Sequence, residues 1–186
     1  MSDLPSQAWL VLRERLRLEP GNAALWSELA GLLAAAGDQQ EACSAWLQAI
    51  LNAPQDPVPL CGLACSLEAL GEPGQALGFW RQAAGLAPPE VGPLVGLGRC
   101  LRRLGASGEA MPVALQALQL APGDARPAAL LGTLHAEREE LAPAEHWLRR
   151  ALELAPADPD SAAGPGAAAA GPPRGGRRPP APPPDR

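Results

Sequence analysis

Proline recurs at a fixed interval in this chain: Pro20, Pro54, Pro88, Pro122 and Pro156 stand 34 residues apart without slippage. Each closes a short leucine- or alanine-rich stretch, LRLEP, ILNAP, AGLAP, LQLAP and LELAP. Proline lacks an amide donor and its ring clashes with the preceding turn, so it follows a helix and does not continue it. A constant interval of this length marks an array of stacked units, each one supersecondary element long.

Other columns run in the same phase. Leu29, Leu63, Leu97 and Leu131 correspond, each followed by a small residue, Ala30, Ala64, Gly98 or Gly132. Ala42, Ala76, Ala110 and Ala144 form another column, and Ala49, Ala83, Ala117 and Ala151 a further one. Gly37, Gly71 and Gly105 mark a turn midway through the first three units. Within a unit the apolar residues fall at three- and four-residue spacing, as in Trp26, Leu29, Ala30 and Leu33 before the turn and Ala42, Trp46, Ala49 and Ile50 after it. That spacing places them on one face of a helix. The columns therefore describe antiparallel helix hairpins whose small residues allow close approach. One hairpin cannot cover both its apolar faces, and stacked neighbours can.

These columns closely resemble the tetratricopeptide repeat family. The first full repeat supplies Trp26, Leu29, Ala30, Leu33, Ala42, Trp46, Ala49 and Pro54, and the second Leu60, Leu63, Ala64, Leu67, Ala76, Trp80, Ala83 and Pro88. The third supplies Leu94, Leu97, Gly98, Leu101, Ala110, Ala114, Ala117 and Pro122, and the fourth Ala128, Leu131, Gly132, His135, Ala144, Leu148, Ala151 and Pro156. The resemblance implies an all-α fold, a right-handed superhelical solenoid of antiparallel helix hairpins. By register the repeats are 23–56, 57–90, 91–124 and 125–158, preceded by a partial repeat helix within 1–22 and followed by a Pro/Gly/Ala-rich tail, 159–186.

The fourth unit departs from the pattern. Glu139 stands where the other three have the turn glycine, and Ala128 and His135 replace larger or more apolar residues, so it is expected to be the least stable. Pro143 is expected in the first turn of its helix, where a missing amide is tolerated; Pro112 is expected to delay its helix or bend it. Pro57 and Pro59 restrict the entrance to the second repeat. After Pro156 the helical pattern stops, and the tail is too rich in Pro and Gly to bury the surface that ordering requires. No polar-faced capping element follows the last repeat, which leaves Leu148 and Leu152 partly exposed unless a partner, a second copy or the tail covers them. The half-repeat start and absent cap also fit a fragment or an altered-frame product of a larger gene.

The resemblance places a concave, peptide-receiving groove on the first helices of the repeats. Its candidate partner-binding residues here are Ser27, Glu28, Val58, Cys61, Cys65, Val95, Arg99, Arg102, Arg103, Arg126 and Thr133. The best-known peptide-binding subfamily holds a terminal carboxylate with Lys, Asn and Arg. This chain has no Lys and only Asn22 and Asn52, which argues against that clamp. What remains is a small-residue, partly apolar groove with a cationic patch of Arg99, Arg102, Arg103 and Arg126, suited to an acidic partner.

Charge and composition narrow the function classes. Residues 1–160 carry eleven Arg and nineteen acids, net −8, whereas 161–186 carry four Arg and one acid, net +3. An acidic body without a basic stripe argues against nucleic-acid binding. Nothing approaches 18 uninterrupted apolar residues, and the amino-terminal residues lack the layout of a secretory signal. The four cysteines are expected as free thiols in a reducing, cytoplasmic setting. Cys61 and Cys65 share a helix face, but two thiols do not make a structural zinc site, and His135 and His146 have no ligand cluster around them. No phosphate-binding loop, metalloprotease motif or nucleophile elbow is present, and Glu137, Glu139 and Glu140 fit a solvated face near a turn. Neither a metal nor a cofactor is implied. The expected role is a noncatalytic scaffold or adaptor for a protein or extended peptide. The alternatives are an accessory segment of a larger enzyme, such as a glycosyltransferase or hydroxylase, and a structural protein that self-associates through its C-terminal repeat.

Overall fold

The computed structural model describes residues 4–155, with side chains from Trp9 onward, and all regular structure in that range is α-helical. After α1 (Leu4–Leu18) come four hairpins: α2 (Ala23–Ala36) with α3 (Gln39–Asn52), α4 (Pro57–Ala69) with α5 (Pro73–Ala84), α6 (Val91–Arg103) with α7 (Ser107–Leu120), and α8 (Ala125–Glu137) with α9 (Leu141–Leu154). Each helix packs on the next in sequence. The first helices α2, α4, α6 and α8 also touch one another in turn, and no two second helices touch among the described residues. The first helices therefore line the inner side of a helical solenoid. The tail at 159–186 lies outside the described residues.

Helix entry follows a column that periodicity of apolar residues does not reveal. Asn22, Asp56, Glu90 and Asp124 are the N-caps of the four first helices. The Asn22 carboxamide oxygen accepts from the amides of Ala24 and Leu25, Asp56 from Val58, and Asp124 from Arg126, so each satisfies donors that the helix itself leaves open. Glu90, one methylene longer, makes no such bond. Pro59, Pro93 and Pro127 follow three residues after these caps and are buried. In α4 the pattern closes completely: Pro57 and Pro59 have no amide to satisfy, and Asp56 takes the one between them.

The turns repeat a single bonding scheme. Gly37, Gly71 and Gly105 have φ of 93°, 83° and 76°, the left-handed region where a side chain is strained. In each, the glycine amide and the next amide bond back to the preceding helix, as Gly37 N to Ala34 O and Asp38 N to Leu33 O. The fourth turn makes the same two bonds, Glu139 N to Ala136 O and Glu140 N to His135 O, and so holds Glu139 at φ 59°. Pro143 falls within the first turn of α9, as expected. Pro112 does not delay its helix: α7 begins at Ser107 and runs through it. The exposed flank allows this: Gly108, whose carbonyl loses its donor, is exposed.

The core follows the small-residue columns. Ala42, Ala76, Ala110 and Ala144 are buried between the helices of their hairpins, as are Ala49, Ala83, Ala117 and Ala151. Two main apolar clusters form, one around α1–α4 and one around α4–α8, and Leu67 and Phe79 pack against both. Successive hairpins are matched in volume. A Cβ on Gly62 would stand 2.4 Å from the Trp46 ring, and one on Gly96 would stand 2.3 Å from the Trp80 ring. Two tryptophans thus lie flat on two glycines of the next first helix. At the third interface the register exchanges bulk: Ala114 replaces the tryptophan and Leu130 replaces the glycine, both buried. Leu130 in turn requires Gly98, where a Cβ would approach it to 2.6 Å.

Candidate functional site

The inner face opens into a groove of about 990 Å³ in the second half of the array. Helix α4 contributes Cys65 and Glu68, α6 contributes Val95, Gly96, Arg99, Arg102 and Arg103, and α8 contributes Arg126, Leu130 and Thr133. Trp80 forms part of the floor, and Leu148, Ala151, Leu152 and Ala155 form the far wall. Trp80 is seated on Gly96, where a Cβ would stand 2.3 Å from the ring, so a side chain at residue 96 would disturb this part of the floor.

Seven sequence-selected residues meet here: Cys65, Val95, Arg99, Arg102, Arg103, Arg126 and Thr133. Ser27, Glu28, Val58 and Cys61 do not line this groove. The Ser27 hydroxyl donates to Ala23 O at 3.0 Å, an intrahelical bond, and Val58 is exposed at the entry of α4. Sequence reasoning missed Glu68, Trp80, Leu130, Leu148 and Leu152 as groove residues. The repeat column assigns Trp80 to packing, although it also lines the groove, whereas Leu148 and Leu152, expected to be partly exposed, form its far wall.

The cationic patch is more balanced than four arginines imply. Arg103 Nη1 donates to Glu68 Oε2 at 2.7 Å, and Arg102 Nη1 to Glu137 Oε1 at 2.6 Å. Arg126 grips Asp124 through Nε and Nη2, the latter at 2.6 Å. That hydrogen bonding holds the Asp124 carboxyl below its ordinary pKa and the Arg126 guanidinium above its own. Glu68 and Arg102 occupy equivalent positions in consecutive repeats, and Arg103 and Glu137 do likewise. One contact between neighbouring first helices is therefore made twice, with its charges reversed. The spacing of 35 residues is visible in the sequence once the repeat length is known. Arg99 is exposed and has no ion-pair partner among the described residues. It is the groove's open cation.

The thiols are unsuited to nucleophilic chemistry. Burial pushes Cys65 up to about 11, with Glu68 adding to the shift and Arg99 opposing it. Burial also pushes Cys61 up to about 12, reinforced by Cys65, Glu90 and Asp56. A thiol so displaced is protonated near neutrality and is not poised for attack. All four cysteines are free, and Cys100 donates its S–H to Pro73 O at 3.3 Å. No group of three or more His, Cys, Asp or Glu able to hold a metal occurs among the described residues. No described helix is long and apolar enough to cross a membrane.

Known proteins agree with this architecture. Crystal structures of MamA include one that superposes at a TM-score of 0.71 with 16% identity, covering 78% of this chain and 85% of that one. A MamA fragment from Desulfovibrio magneticus RS-1 matches at 0.64 with 25% identity over 72% of this chain and 76% of that one. YrrB, described as a TPR protein with an unusual peptide-binding site, matches at 0.68 with 20% identity, covering 83% and 79%. Comparison with curated proteins gives no match. The tetratricopeptide repeat family model matches residues 7–57 and 61–125, more than half of the sequence. The chain belongs to the tetratricopeptide repeat family.

Proposed function

We propose that this protein is a noncatalytic scaffold that holds an extended peptide segment of a partner protein in the groove between α4, α6, α8 and α9. The observation that carries this reading is Arg99: one uncommitted guanidinium stands beside apolar and small residues while the groove's other arginines are already paired with the chain's own acids. A peptide suited to this arrangement presents one carboxylate to Arg99 and apolar side chains to Val95, Leu130 and Leu152. YrrB, of similar fold, is described as having a peptide-binding site, which supports the reading. The protonated thiols and the paired carboxylates give no support to a reaction at this site.

A peptide array tests the proposal. Extended peptides with one acidic residue flanked by apolar residues would be screened for binding to the full chain and to its Arg99→Ala variant. Binding of such peptides that weakens in the variant, and weakens less at high salt where the charge is screened, is the expected outcome. Peptides that bind both chains equally would move recognition away from Arg99.

A further inference from the structure

We infer that the groove is occupied within the same molecule by the segment that follows α9, residues 156–163, Pro-Ala-Asp-Pro-Asp-Ser-Ala-Ala, which a partner peptide must displace. The inference rests on the groove reading above and names its resident ligand.

Three features of the described residues meet at this point. The first is an uncovered face. The repeat equivalents of Leu148 are Trp46, Trp80 and Ala114, all buried by the first helix of the next hairpin. After α9 no such helix is described, and Leu148 and Leu152 are 40% and 68% exposed, both on the groove wall. The second is continuity. Ala155, the last described residue, itself lines the groove and has already left helical geometry at φ −131°, ψ 74°. The next residues therefore start at the groove's rim with no linker to cross. The third is charge. Arg99 has no ion-pair partner among the described residues, and the sequence beyond Ala155 supplies Asp158 and Asp160.

Ala155 and Arg99 line the same groove, and chain stiffness favours docking. An extended chain advances roughly 3.3–3.6 Å per residue, which carries Asp158 about 10 Å and Asp160 about 17 Å beyond Ala155. Pro156 and Pro159 fix φ and bias their preceding residues toward extended geometry, lowering the entropy lost on docking. In an extended strand Asp158 and Asp160 fall on one side and Ala157 and Pro159 on the other, so both carboxylates can face the same surface. Farther on, residues 161–186 carry net +3 against −8 for residues 1–160, so the rest of the tail is drawn to the body and not repelled by it. A second copy offers less: beside the exposed Leu10, Val11 and Leu18 of α1, Glu14 is already paired with Arg17 and Glu19 already accepts from Asn22.

The test uses the full chain and a labelled synthetic peptide of residues 156–163. Its binding would be followed by fluorescence anisotropy on three proteins: the natural chain, Asp158→Asn/Asp160→Asn, and that double variant with Arg99→Ala added. A tethered ligand competes at an effective concentration on the order of millimolar, so the peptide should bind the double variant at least about tenfold more tightly than the natural chain. Adding Arg99→Ala should abolish the gain. Equal affinity for the natural chain and the double variant, or no binding to the double variant, overturns the inference. The groove reading is tested separately by the array peptides. If they bind the natural chain and the Asp158→Asn/Asp160→Asn variant equally and depend on Arg99, the groove stands and the tail does not occupy it. If none binds either chain, both readings fall. Association of the natural chain in sedimentation that the double variant loses would place the tail in a second copy's groove and overturn the intramolecular form.

Discussion

Trp46 and Trp80 occupy the same place in consecutive hairpins, but only Trp80 has a partner for its indole N–H, which donates to Glu68 Oε1 at 2.7 Å. Trp46 Nε1 is buried without one. The difference lies one helix earlier, where Ala34 stands at the position equivalent to Glu68. Glu68 also accepts from Arg103 through its other oxygen, so one carboxylate ties the floor of the groove to its wall.

From this pair comes a stability prediction. Ala34→Glu should give the Trp46 indole an acceptor and raise stability by about 0.5–1.5 kcal/mol, the usual net value of one hydrogen bond. Glu68→Ala should lower stability by about 1–3 kcal/mol, because it orphans a buried donor and frees Arg103. Urea denaturation of the full chain measures both. A destabilised Ala34→Glu variant would show that the two tryptophans are not in equivalent surroundings.

Volume matching between hairpins predicts a coupled pair. Gly96→Leu alone should cost about 1–3 kcal/mol or more by driving a side chain into the Trp80 ring. Trp80→Ala alone should cost about 3–5 kcal/mol by leaving a cavity. Together they restore the exchange of bulk seen between Ala114 and Leu130 one repeat later, with Ala64 standing where that interface has Gly98. The double variant should therefore be at least about 1 kcal/mol more stable than the sum of the two losses implies. Strict additivity in denaturation midpoints would contradict the packing.

Strain at the fourth turn predicts a stabilising substitution. Glu139 at φ 59° bears the left-handed penalty of about 1–2 kcal/mol, of which glycine's greater freedom in the unfolded chain returns roughly half. Glu139→Gly should raise stability by about 0.5–1 kcal/mol, and Gly105→Ala should lower it by a similar amount. Hydrogen exchange should localise the gain to α8 and α9. No change at either site would remove turn strain as the reason this repeat departs from the others.

The hairpins were legible in the sequence because close helix contacts tolerate only small side chains, and Ala42, Ala76, Ala110 and Ala144 therefore repeat with little variation. The turn glycines were legible for a related reason: a positive φ admits few residues, and even the exception at Glu139 stood out by its position. The groove was only half visible. Cys65, Val95, Arg99 and Thr133 lie on the inner faces where the register put them. Two relationships were harder to see. Trp80 on Gly96 is a contact between hairpins, so it appears in no single-repeat pattern, and its exchange for Ala114 and Leu130 breaks the column. The neutralisation of Arg102 and Arg103 depends on acids 35 residues away, on the adjoining first helices, and counting arginines along the chain does not reveal it.

Hydrogen–deuterium exchange of the full chain, with and without the tightest-binding array peptide, tests the central claim most directly. Slowed exchange in α6 and α8, spreading to the end of α9 and weakened by Arg99→Ala, is the predicted footprint. A footprint on α2 and α3, or on the outward faces of the second helices, with α6 and α8 unchanged, would contradict it.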